Sequence, residues 1–228
     1  FGYQWGVSNE EHSINATSAW SQSTGKGTTV AVLDTGILPD HPDISGQLLP
    51  GYDFISDPWI SRDDDGRDAD PSDNGDSADA DVCYQGSEAR PSSWHGSHVA
   101  GIIAASTNNE RGVAGVAPNA RILPVRALGR CGGTSTDIID ALTWASGGHV
   151  NGVPDNDNPA QVINMSLGGT GTCPSPAPSR VVESDGTVPV SASTAPSTPY
   201  SASRQAGTLR QSGVTLYTPT KEPRGWSR

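Results

Sequence analysis

The chain has 228 residues, 33% of them hydrophobic and 17% charged, with 27 glycines, three cysteines, a net charge of −11 and a pI near 4.6. That length supports one sizeable α/β domain, and the modest charge with abundant glycine suits a compact, loop-rich globule rather than a disordered chain. The acidic balance excludes the basic face that nucleic-acid binding requires, and no apolar run approaches the roughly 18–20 residues that span a bilayer.

The chain starts at Phe1 without Met or a signal peptide, so it reads as a processed, mature form. No Gly/Ser-rich or Pro-rich linker interrupts the first 170 residues, and residues 1–228 are expected to form a single domain. Residues 28–33 (TTVAVL) are a β-branched run ending on Asp34-Thr35-Gly36, which predicts a buried parallel strand. Asp34 then stands at the strand's end, where burial and hydrogen bonds can fix a carboxylate against an imidazole. A turn-forming Asp before Gly is the plain alternative.

Residues 53–81 are too long for an ordinary connection. They hold 11 of the 19 aspartates and only two basic residues, Arg62 and Arg67. Such charges repel one another unless a cation or solvent screens them. Calcium suits the composition, because it takes six to eight oxygens at roughly 2.3–2.6 Å in irregular arrangements. The candidate ligands are Asp63, Asp65, Asp68, Asp73 and Asp76, with the backbone oxygen of Arg67 as a sixth. Gly66 and Gly75 allow the sharp turns this needs. A solvated acidic loop stays open as the other reading.

Trp94–Ala105 places Val99, Ile102 and Ile103 at helical spacing and opens on His95-Gly96-Ser97-His98. An imidazole at a helix N-terminus can face a cleft. His95 and His98 could also ligate a metal, although no Glu follows in an H-E-x-x-H arrangement. Residues 121–126 (RILPVR) read as a second strand, Thr134–Ser146 as a helix carrying Ile138, Ile139 and Leu142, and 161–165 (QVINM) as a third strand. This alternation predicts an α/β fold: a doubly wound, mainly parallel sheet flanked by helices. Catalytic groups belong at the carboxyl ends of its strands and at helix N-termini. Cys83, Cys131 and Cys173 form an odd set with no C-x-x-C pair, and both a disulfide and three free thiols fit the residues.

Three segments occur in the order V-A-V-L-D-T-G (30–36), H-G-S-H-V-A-G (95–101) and N-M-S-L-G-G (164–169). In these the chain resembles the subtilase family of serine proteases, over about residues 1–173. The acidic loop, R-C-G-G (130–133) and W-A-S-G-G (144–148) are similar to secreted bacterial subtilases of the calcium-dependent, disulfide-containing kind. The resemblance implies a subtilisin-like fold and a secreted, monomeric endopeptidase that cuts extended polypeptides through an acyl-enzyme. Asp34 would orient His95, and His95 would act as general base and then general acid. Gly132 and Gly133 resemble the edge that pairs with an extended substrate. Ser166, Leu167 and Gly168 resemble the facing segment beside the S1 pocket. Cys83 and Cys131 would pair, and the tail offers Cys173 no partner, with Arg204-Gln205 near the expected place.

Beyond Cys173 the sequence turns to Ser, Thr and Pro. Val188–Ala192 resembles the family's next strand, but Ser193-Thr194 stand where Gly-Asn is expected, and no G-T-S-M-A serine segment follows. Three readings stay open: a nucleophile beyond residue 228, a tail altered in sequence, or a non-catalytic pseudoprotease that binds peptides or calcium.

Overall fold

The computed structural model of the chain describes residues 4–8 and 11–168, together with the backbone of 214–217. Among the described residues five strands are present: β1 (Thr29–Asp34), β2 (Tyr52–Asp53), β3 (Arg121–Arg126), β4 (Val162–Met165) and β5 (Val214–Tyr217). They lie in the order β2-β3-β1-β4-β5. β1 runs parallel to β3 and β4, β2 runs parallel to β3, and β5 closes the edge antiparallel to β4. The α-helices among the described residues are two single turns, α1 (Ala16–Ala19) and α2 (Pro58–Ser61), and two longer ones, α3 (His95–Ala104) and α4 (Ser135–Ala145).

Val30–Leu33 of β1 are apolar because both faces of the strand are covered. Val30 and Val32 pack with Val99, Ala100 and Ala104 of α3, while Ala31 and Leu33 pack with Ala141, Trp144 and Ala145 of α4. The alternation of side chains along a strand sends these two sets to opposite faces. The expected doubly wound, mainly parallel sheet is therefore the observed one. α4 starts where Thr134 accepts a hydrogen bond from the Asp137 N–H at 3.1 Å, an N-cap that satisfies one orphan donor of the first turn. Tyr52, Phe54 and Trp144 form a triangle of rings with centroids 5.1–5.7 Å apart. Tyr52 pairs with Val125 near the carboxyl end of β3, and Arg67 of the acidic loop lies over the Phe54 ring at 5.6 Å.

Candidate active site

Asp34 is the last residue of β1, and neighbouring β3 and β4 end beside it. Its backbone oxygen accepts from the N–H groups of Ala127 and Leu128, which follow β3. Its side chain has no solvent exposure. One carboxylate oxygen accepts the Thr35 N–H at 2.8 Å. Both oxygens face Nδ1 of His95, at 2.8 and 2.9 Å. The carboxylate can only accept, so the imidazole carries its proton on Nδ1 and Nε2 is the unprotonated, basic nitrogen. Burial raises the Asp34 carboxyl above its ordinary value. The hydrogen bonds from His95 and Thr35 pull it back, and the nearby Asp73 charge adds to the rise.

His95 opens α3, and its side chain is 22% exposed, so the ring meets Asp34 on one side and solvent on the other. Close approach of the two elements depends on Gly96. A Cβ there would fall 2.2 Å from the Gly36 oxygen and 3.2 Å from the Asp34 Cβ. Ser97 accepts the Leu38 N–H through its hydroxyl at 2.8 Å, a second tie between α3 and the segment after β1. His98 turns elsewhere. It lines a cavity of about 510 Å³ with Leu38, Ile44, Ile102 and Val113, to which neither Asp34 nor His95 contributes.

Gly132 and Gly133 lie on the loop from β3 to α4. Gly129 and Gly132 exchange backbone hydrogen bonds at 2.8 and 3.1 Å, closing a tight turn, and Gly132 has φ +106°. A Cβ on Gly133 would meet the Ala127 oxygen at 2.1 Å. Cys131 at this turn is joined to Cys83 by a disulfide with a Cα–Cα separation of 5.3 Å, the pairing that the resemblance implied. The bridge ties the loop before α3 to the glycine turn. Ser166, Leu167 and Gly168 follow β4, on the far side of Asp34 from that turn. Ser166 donates its hydroxyl to Asn164 at 2.9 Å, and Gly168 is exposed. Cys173, Val188–Ala192, Ser193-Thr194 and Arg204-Gln205 lie outside the described residues.

The acidic loop divides into parts with different roles. Asp63 accepts from Ser61 and from Arg126. Asp65 is exposed, and its carboxyl is raised by local desolvation, by the charge of Asp68, by its contact with Asp68 and by Asp63. These three crowd together, and a cation would relieve them. Asp73 and Asp76 face away from this crowd and hold N–H and O–H donors of Thr35, Gly75 and Ser93. The Arg67 side chain reaches Asp137 and Asp140 of α4, both at 2.7 Å. Among the described residues no three His, Cys, Asp or Glu side chains close on a common point as a finished ion cage. Asp65 and Asp68 crowd with Asp63, one oxygen of which Arg126 already holds, while Asp73 and Asp76 are committed to protein donors, so the five expected carboxylates do not converge as one ligand set.

Sequence reasoning missed Arg126. It ends β3 almost fully buried, bonds Asp53 at 2.6 Å, and also holds Asp63 and the Ser61 oxygen. Burial pushes the Asp53 carboxyl up to about 7, against the pull of that guanidinium. The signal was available: a lone arginine closing an apolar strand needs a buried partner. Thr35 was read only as part of a turn, yet its hydroxyl is buried between Asp73 and Gly96.

A sequence model described as "Subtilase family" matches residues 25–214, past the point at residue 173 where the motifs stop. The extracellular protease of Xanthomonas campestris pv. campestris is 54% identical over 170 residues, 75% of this chain and 29% of the relative. The extracellular basic protease of Dichelobacter nodosus is 54% identical over 167 residues, 71% of this chain and 28% of the relative. A solved structure titled as proteases from Pseudoalteromonas arctica PAMC 21717 superposes with a TM-score of 0.73 at 53% identity, over 77% of this chain and 51% of that one. The chain thus spans under a third of those two curated relatives and about half of the solved structure.

Proposed function

Because the chain belongs to the subtilase family, we propose that it supplies the Asp and His of a secreted serine endopeptidase that cuts extended polypeptides. The observation that carries this reading is the pair of contacts at 2.8 and 2.9 Å between His95 Nδ1 and the buried Asp34 carboxylate, at the carboxyl end of a central parallel strand. Asp34 holds the ring in one tautomer and orientation. His95 Nε2 takes the proton of the attacking serine hydroxyl, and Asp34 stabilises the imidazolium that results. The same nitrogen then protonates the leaving amine. The nucleophile lies outside the described residues. A substrate strand passes between Gly132-Gly133 and Ser166–Gly168, held by main-chain hydrogen bonds that demand little of its side chains. The names of the relatives and the disulfide both support an oxidising, extracellular setting.

Asp63, Asp65 and Asp68, with backbone oxygens, would hold a calcium ion. Bound there, it would neutralise the loop and stabilise the segment that leads to His95. The function is tested in the full-length protein by replacing His95 with Ala, where loss of turnover by several orders of magnitude is expected. Labelling by a serine-directed phosphonate supports the protease. A full-length protein that neither labels nor cleaves would instead be a peptide-binding pseudoprotease.

A further inference from the structure

We propose that the turn Asp73–Asp76 is a positioning clamp for the Asp34–His95 pair, gripping Thr35 with Asp73 and Ser93 with Asp76. The inference rests on the protease reading above, and it assigns these two aspartates a task other than ion binding.

Thr35 directly follows Asp34. Its hydroxyl donates to Asp73 at 2.7 Å, and both residues are buried. The same oxygen accepts the Gly96 N–H at 3.0 Å, in the first turn of α3. A hydroxyl has one proton, so committing it to Asp73 turns the lone pairs toward Gly96. Asp73 thereby sets a link between the strand end that carries Asp34 and the helix start that carries His95. Asp73 is itself held: its other oxygen accepts the Gly75 N–H at 2.8 Å, and its own N–H donates to the Ile37 oxygen at 2.8 Å.

Three residues on, the turn takes hold of the other partner. Asp76 accepts the Ser93 N–H at 2.6 Å and the Ser93 hydroxyl at 3.0 Å. Ser93 precedes Trp94, which has φ 51° and ψ 33° as it enters α3. The left-handed region is unfavourable for a bulky residue and persists only where the surroundings impose it. Between the two aspartates, Gly75 leans on the same segment. A Cβ there would fall 2.4 Å from the Ser92 hydroxyl and 3.4 Å from the Trp94 ring. The turn therefore fixes Ser92, Ser93 and Trp94 as well as Thr35. Neither aspartate touches the reacting atoms, so both act through the pair they hold. Such support matters because a misplacement of about 1 Å can cost about 100-fold in rate.

The test uses Asp73→Ala, Asp73→Asn, Thr35→Val, Thr35→Ser and the Ala/Val double variant in the full-length protein. Asp73→Ala and Thr35→Val are each expected to lower kcat roughly tenfold with KM nearly unchanged, and the double variant should be no worse than either. Asp73→Asn keeps an acceptor and Thr35→Ser keeps the hydroxyl, so both should restore most of kcat. The low-field proton resonance of His95 Nδ1–H should move in the Ala and Val variants and hold in the Asn and Ser variants. Unchanged kcat in folded Thr35→Val, losses that add as for independent sites, or an unmoved His95 resonance would each overturn the clamp. Should Asp73→Ala not fold, Thr35→Val and Asp73→Asn decide. A wild-type protein that cleaves no peptide overturns the protease reading instead, and the resonance, which needs no turnover, still tests the clamp.

Discussion

His95 Nδ1 sits 2.8 and 2.9 Å from the two oxygens of Asp34, a carboxylate with no exposure to solvent. The contact joins residues 61 positions apart and fixes which ring nitrogen carries the proton. Asp34→Asn would keep the shape but remove the negative charge and put an N–H donor beside one acceptor oxygen, so this tautomer would no longer be enforced. A fall in kcat of about 10⁴-fold is expected, as in related Ser-His-Asp hydrolases. Steady-state kinetics on the full-length protein check this, with circular dichroism as the control for folding. A rate within tenfold of wild type would remove Asp34 from the mechanism.

The Cys83–Cys131 bridge closes a loop of 48 residues. In the chain-entropy account a loop of that size is worth roughly 4 kcal/mol, less any native strain. Cys83→Ser should therefore lower the melting temperature markedly. It should also raise KM more than it lowers kcat, because the bridge holds the turn at Gly132 and not the Asp34–His95 contact. Thermal unfolding with and without reductant, beside peptide kinetics, separates the two effects.

Crowding at Asp65 directs the calcium proposal to one part of the acidic loop. Raising free calcium to about 100 times its dissociation constant should stabilise the fold by about 2.7 kcal/mol. Asp65→Asn should blunt that response and raise stability in chelator, since it removes one of the repelling charges. Melting curves at fixed ionic strength read both. Stability indifferent to calcium in the wild type would leave a solvated loop.

Acid should loosen the anchor between the acidic loop and α4. Burial opposes ionisation of Asp137, but hydrogen bonds from Arg67, Thr134 and Ser56 outweigh it and hold the carboxyl below its ordinary value of 3.8. The unfolded chain then binds the proton more readily than the folded one. The stabilisation is complete above the unfolded value and is lost as pH falls below it, through the folded value. Arg67→Ala is expected to cost roughly 1–3 kcal/mol at pH 6. The gap from wild type should shrink below about pH 4 in urea unfolding. A gap constant from pH 3 to 6 would exclude the ionised pair as its source.

Much of the frame was legible before any coordinates. Residues 28–33 and 121–126 are apolar because the strands are covered on both faces, and such runs announce themselves locally. The observed β1 runs from Thr29 to Asp34, and α3 and α4 fall within a residue of the expected helices. Asp34 and His95 could be placed at a strand end and a helix start, but their pairing came from the resemblance of their segments to the family. The Cys83–Cys131 pairing came from family resemblance, since three cysteines alone permit several arrangements.

Tertiary structure decided what each acidic side chain does. The 11 aspartates of residues 53–81 look alike in one dimension. Folding sends Asp53 and Asp63 to Arg126, Asp73 to Thr35 and Asp76 to Ser93, and leaves Asp65 crowded and exposed. A carboxylate's role depends on which donors meet it and how much water remains, and those donors come from 17 to 73 residues away. Local sequence shows the strands and helices because their hydrogen bonds and periodicity repeat over a few residues. The division of charge across the site is set by long-range packing, which only the folded chain brings about.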